Sequence, residues 1–78
     1  MATYKYGHYL NQTNHEAFDT EYGPGKTVPW SGIYRCMGCG WEIAANESTP
    51  FPPQNHHQHS VAQGSVRWKL VTYAVHKT

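Results

Sequence analysis

Apolar and polar positions alternate most regularly near the end of the chain. Val66, Trp68, Leu70, Thr72 and Ala74 fall on one face of an extended segment, and Arg67, Lys69, Val71, Tyr73 and Val75 on the other. That period of two predicts a strand over residues 66–75. Its first half is amphipathic, with Arg67 and Lys69 toward solvent. Its second half is apolar on both faces and expects cover, for which the aromatic N-terminal segment is the candidate. Residues 30–35, with Ile33 and Tyr34, predict a second strand, and residues 41–45 the returning strand of a hairpin. The turn between them is Cys36-Met-Gly-Cys-Gly40. Residues 2–10 alternate loosely and predict a short strand, and residues 13–19 a single helical turn. The adjacent breakers Gly23, Pro24 and Gly25 in 22–29 predict a turn followed by extended chain, and 46–55 reads as a polar, Pro-rich loop.

Composition changes this picture in one respect. The chain has 78 residues, enough for one domain. A domain of this size buries only ~60% of the surface its unfolded chain exposes, so small scaffolds recruit disulfides, metals or oligomerisation. Six Tyr, three Trp and two Phe outweigh the Leu and Ile, which suits short strands better than helices. The two cysteines, Cys36 and Cys39, are too close together to close a useful loop, so a disulfide scaffold is excluded and a metal is implied. The formal charge of +1 comes from scattered Lys and Arg with no basic stripe. No apolar stretch is long enough to span a membrane, and the first residues lack the apolar core of a secretory signal. The expectation is a cytoplasmic protein, in whose reducing surroundings paired cysteines bind metal or act in redox chemistry.

Cys36-x2-Cys39 is the first half of a tetrahedral site, in which backbone N–H groups of the turn face the thiolates. Gly38 and Gly40 are expected to supply left-handed backbone angles there. The alternatives are two incidental buried cysteines or a thioredoxin-like redox pair. The redox motif opens a helix after a strand, which the glycines oppose. With no third cysteine, the second half-site must be histidine. His56 and His59 give Cys-x2-Cys-x16-His-x2-His, and His57 with His59 is the other pairing. Pro50, Pro52 and Pro53 before these histidines and Gly64 after them argue against a zinc-finger helix and for a second, loop-borne knuckle. The bland reading of the run is a solvated loop. His8, His15 and His76 are isolated and read as surface or hydrogen-bonded histidines. Two thiolates and two neutral imidazoles around Zn²⁺ form a closed, neutral, structural site. A catalytic site would need an open position and a base, for which Glu42 and Glu47 are candidates by proximity alone.

At these residues the chain resembles the zinc ribbons, in particular small bacterial ribbon proteins of unassigned function. The pattern is Gly32-Ile-Tyr34-Arg-Cys36-Met-Gly-Cys39-Gly40, a polar loop, Pro52-Pro53, a metal pair and a final strand from Val66. It looks most like a small family called protein L, a name that carries no activity. Ribbons place Cys-Pro-x-Cys after the Pro-Pro, where this chain has Gln54-Asn55-His56-His57. The resemblance implies a small all-β fold, a three-stranded antiparallel zinc-ribbon-like sheet with two metal knuckles. Residues 27–78 would form the ribbon domain, with 1–26 an aromatic extension packed on it.

Gly25-Lys26-Thr27 mimics the end of a phosphate-binding loop, but Thr20 stands where the required glycine should be and Val28-Pro29 follow. The function expected is therefore a non-enzymatic, metal-stabilised interaction module whose partner is protein, either another chain or a second copy. Eight aromatic residues, Tyr4, Tyr6, Tyr9, Tyr22, Trp30, Trp41, Trp68 and Tyr73, exceed what the core needs, and about half are expected inside. The alternatives are single-stranded nucleic-acid binding through stacked aromatics flanked by Arg35, Arg67 and Lys69, or a metal-handling protein or metalloenzyme with an open site.

Overall fold

The computed structural model describes residues 1–56 and 58–75. It contains one four-stranded antiparallel sheet: β1 (Glu21–Tyr22), β2 (Gly32–Cys36), β3 (Glu42–Ala45) and β4 (Trp68–Tyr73), in the order β1-β4-β2-β3. Single 3-10 turns lie at Gly7–Tyr9, Glu16–Phe18, Gln54–His56 and Val61–Gln63, and no α-helix occurs among the described residues.

The hairpin strands form close to the segments expected for them, and the last strand forms as Trp68–Tyr73, inside the 66–75 that alternation marks. The fourth strand is an addition to the expected three, because Glu21 and Tyr22 pair with Lys69 and Trp68. Two residues are too few to show a period, and the glycines beyond them read as turn. The strand expected within 2–10 is instead coil around one 3-10 turn. The helical turn near 13–19 is the 3-10 turn at Glu16–Phe18, where the His15 ring accepts the Ala17 N–H at 3.0 Å.

Trp68, Leu70, Tyr34 and Cys36 point from β4 and β2 into the core, and Val28, Phe51 and Val66 complete it. Val28 and Phe51 arrive from segments that read as breaker-rich loops. Backbone hydrogen bonds tie the two segments together: Val28 N–H to Thr49 O (2.7 Å), Ser48 N–H to Val28 O (2.8 Å) and Phe51 N–H to Lys26 O (2.8 Å). Phe51 then meets Tyr34 edge-on at 4.9 Å and stacks with Tyr22 at 5.5 Å. The Tyr34 hydroxyl donates to the Trp30 carbonyl at 2.6 Å, so this buried ring brings its own polar partner. Of the eight aromatics weighed above, Trp68 is buried and Tyr22 half-buried, while the other six are exposed. That is fewer inside than expected, because Tyr34 and Phe51 take the central places.

In β4 the pairing shifts by one residue: Tyr34 faces Leu70 but Ile33 faces Thr72, leaving Val71 as a bulge. Ala17 and Phe18 pack on the core's edge from the N-terminal side. No helix among the described residues is long and apolar enough to cross a membrane.

Candidate metal centre

Cys36 ends β2 with its side chain in the core, and the next four residues turn the chain into β3. The turn is closed by Gly40 N–H donating to Cys36 O and Cys36 N–H donating to Trp41 O, both at 2.7 Å. Met37 N–H donates to Arg67 O at 2.7 Å, which fastens the tip to the chain entering β4. Gly40 has φ of 84°, the left-handed value expected of it. Gly38 does not adopt one. Its requirement is space: a Cβ there would lie 2.7 Å from His59 Cε1 and 2.8 Å from the Gln63 carbonyl oxygen.

His59 reaches the cysteines because the chain behind it is folded into a capped turn. Ser60 N–H donates to the Gln63 side-chain oxygen at 2.8 Å, and Gln63 N–H returns to Ser60 O at 3.1 Å. Gly64, with φ of 72°, ends the turn and directs its carbonyl at His59 Nδ1, 2.8 Å away. A carbonyl can only accept, so Nδ1 carries the proton in that bond, and Nε2 faces Cys36 Sγ at 3.4 Å. A carbonyl on one ring nitrogen and a sulfur-lined position before the other is the arrangement of metal-ligating imidazoles. Gln54 contributes from the other side of the loop, its side-chain oxygen accepting the Val66 N–H at 3.1 Å.

Cys36, Cys39 and His59 each offer one ligand atom, and these atoms all lie within 4.8 Å of one another. Zinc bonds of ~2.3 Å to sulfur and ~2.0 Å to nitrogen set a tetrahedral S···N edge of about 3.5 Å, close to the Cys36–His59 separation. Partial burial raises the Cys39 thiol above its ordinary pKa. The Trp41 backbone hydrogen bond lowers it, the Cys36 sulfur beside it raises it, and the Arg35 guanidinium lowers it. A divalent cation would remove the cost of placing two thiolates together. The donor set thus fits a soft-to-borderline metal such as zinc and could hold one.

Of the histidines singled out in the sequence, His59 is brought to the cysteines. The His56 ring sits edge-on to both Trp41 at 5.8 Å and Trp68 at 6.0 Å. His57, the alternate ligand, lies outside the described residues, as does His76. Among residues whose role sequence reasoning missed are Gly64 and Ser60, which orient His59. The Ser-x2-Gln spacing followed by Gly was the available signal for a capped turn.

Glu42 is engaged by two cations, with Arg35 Nη1 at 3.9 Å and the Met1 ammonium at 3.5 Å, and it accepts the Ala2 N–H at 3.1 Å. The register also places Glu21, Lys69, Arg35 and Glu42 side by side across all four strands, one residue from each. The row runs acidic, basic, basic, acidic, so Lys69 and Arg35 sit side by side and each has a glutamate on its other side.

No protein-family model matches the chain, and no solved structure matches it. The chain is similar to the Escherichia coli protein named "Protein L", with 58% identity over 52 residues. The match covers 67% of this chain and 59% of that protein, so the chain spans less than two thirds of its relative's length. Over the matched stretch the identity makes the two close relatives.

Proposed function

We propose that this chain is a non-enzymatic interaction module built around one structural zinc ion, in a zinc-ribbon-like arrangement. Cys36, Cys39 and His59 would supply three ligands, and the His56–His57 segment the fourth. The observation that carries this reading is His59: its Nδ1 is committed to the Gly64 carbonyl while Nε2 faces Cys36 Sγ at 3.4 Å. Four protein ligands leave no position for water, which makes the ion a structural element. The buried core is small, and metal binding would couple directly to folding. Against a hydrolytic role, the Glu42 carboxylate is held by Arg35 and the first two residues rather than directed at the cysteines.

The same row of charges weakens the nucleic-acid reading, since Arg35 and Lys69 each have a glutamate in register beside them. The test of the leading reading is elemental analysis of the purified protein together with far-UV circular dichroism during chelation. One zinc per chain and cooperative loss of the fold on its removal are expected. A fold that survives complete metal removal refutes the structural role.

A further inference from the structure

Both sulfurs of the candidate centre sit in one turn, and the chain has no third cysteine to replace either. A single S–S bond between them would remove half of a four-ligand set in one event. Their ligand atoms lie within 4.8 Å of each other, and Cys-x2-Cys is the spacing of dithiols that cross-link reversibly. The two sulfurs differ in exposure. Cys36 is 0% exposed, in the core with Tyr34, Val66 and Trp68, whereas Cys39 is half-buried at its edge. Beside Cys39 stands the Arg35 guanidinium, whose charge acts on that sulfur. Its Nη2 would lie 3.0 Å from a Cβ built at Gly40. Partly exposed cysteines next to a cation are the ones that react with oxidants, most readily when a second thiol is at hand to resolve the product.

We infer that Cys39 is a peroxide-reactive thiolate and Cys36 its resolving partner, so that oxidation by hydrogen peroxide releases the ion and loosens the fold around it. The inference rests on the structural-zinc reading and names a regulation of that same site. Metal coordination keeps both sulfurs deprotonated. The Cys39 thiolate attacks one peroxide oxygen: an S–O bond forms, the O–O bond breaks and hydroxide leaves. The Cys36 thiolate then attacks the Cys39 sulfur: the S–S bond forms, the S–O bond breaks and a second hydroxide leaves. The two thiolates lose one electron each, and the peroxide is reduced to two hydroxides. The thiolate is the metal-binding form of cysteine, so the disulfide leaves only imidazoles to hold the ion. Cys36 ends β2 and belongs to the core, which carries the change into the sheet. A dithiol reductant reverses the step by thiol–disulfide exchange.

The experiment treats the full, zinc-loaded chain with hydrogen peroxide while a zinc-responsive dye reports released ion and intact mass reports the covalent change. Zinc release in step with a loss of about 2 Da per chain is expected. Dithiothreitol followed by added zinc should restore both the starting mass and the bound metal. Dimedone, which traps sulfenic acids, should label Cys39 and not Cys36. Cys39→His keeps a ligand at that position but removes the accessible thiol, and should slow peroxide-driven release by ~tenfold or more because the remaining thiol is shielded. If that variant does not hold zinc, the dimedone map of the unsubstituted chain decides. Zinc that stays bound while Met37 gains an oxygen of about 16 Da, release without the disulfide, dimedone on Cys36, or a disulfide between chains would each overturn the inference. Zinc content before peroxide separates the two failures. A purified chain without zinc fails the structural-zinc reading, whereas bound zinc that peroxide does not release fails the switch alone.

Discussion

Gly38→Ala is the sharpest probe of the candidate metal centre, because its effect must be steric. Gly38 does not occupy a left-handed backbone region, so alanine meets no conformational penalty there of the kind glycine relieves. What it meets is His59: the new methyl would lie 2.7 Å from Cε1 and 3.1 Å from Nδ1, and 2.8 Å from the Gln63 carbonyl oxygen. Ordinary carbon contacts are ~3.5–4.0 Å, so roughly an ångström of movement is required. The ring cannot simply rotate away, since Nδ1 holds the Gly64 carbonyl. The Gln63 oxygen is backbone in a capped turn and cannot move alone. Relief therefore displaces the loop that carries His59. Overpacking of this kind costs ~1–3 kcal/mol, equivalent to about 5- to 150-fold in metal affinity at 1.4 kcal/mol per decade.

Cobalt(II) substitution tests this directly, because its d–d bands report ligand geometry while chelator competition reports affinity. Gly38→Ala should weaken binding within that range and change the spectrum. Gly25→Ala is the control: its φ is 78° with no atom within 4 Å of the added methyl, so it strains the backbone without touching the site. It should lower stability by ~1–2 kcal/mol and leave the cobalt spectrum unchanged. A Gly38→Ala protein with wild-type affinity and spectrum refutes the placement of His59 beside the turn.

Under the proposed structural-zinc role, replacing Cys39 by Ser should unfold most of the sheet, because such ions contribute ~10–16 kcal/mol in finger peptides, and hydrogen exchange along β2 and β4 would show it. Retained protection in a metal-free Cys39→Ser sample would contradict that. Phe51→Ala should cost ~3–5 kcal/mol in chemical denaturation of the metal-loaded protein, since the ring is buried against Tyr34, Tyr22 and Trp68; a loss below 1 kcal/mol would mean the 48–51 segment is not held as described. For pH, burial raises the Cys39 thiol above its ordinary pKa, so protons compete with the cation for that ligand and metal affinity should fall as pH drops. Zinc competition from pH 8 to 6 checks the sign, and an affinity that rises toward pH 6 would contradict it.

Local patterns in the chain were legible, and distant pairings were not. The β2–β3 hairpin and its Cys-x2-Cys turn could be read because every interaction that forms them lies within fifteen residues. β4 could be read because one face is buried and a period of two marks it. Val28 and Phe51 could not, since their burial depends on a ladder between 25–28 and 48–51, two stretches that look like loops by composition. β1 is too short for periodicity, and its pairing with Trp68 and Lys69 spans nearly fifty residues.

The candidate metal centre shows the same division within a single site. The cysteine half follows from spacing, because a turn of four residues fixes both sulfurs. The histidine half depends on which ring the loop delivers, and three rings within four positions are equivalent by composition. What distinguishes His59 is the chain after it: Ser60 and Gln63 close a turn, and Gly64 reverses the backbone so that its carbonyl meets Nδ1. Gly38 then leaves room for the ring on the cysteine side. An imidazole held at Nδ1 by the Gly64 carbonyl and facing Cys36 Sγ with Nε2 has its ligand geometry set before a metal arrives. Substitutions at Ser60, Gln63 or Gly64 should therefore act on metal affinity through His59 orientation, although none of these residues offers a ligand atom to the site.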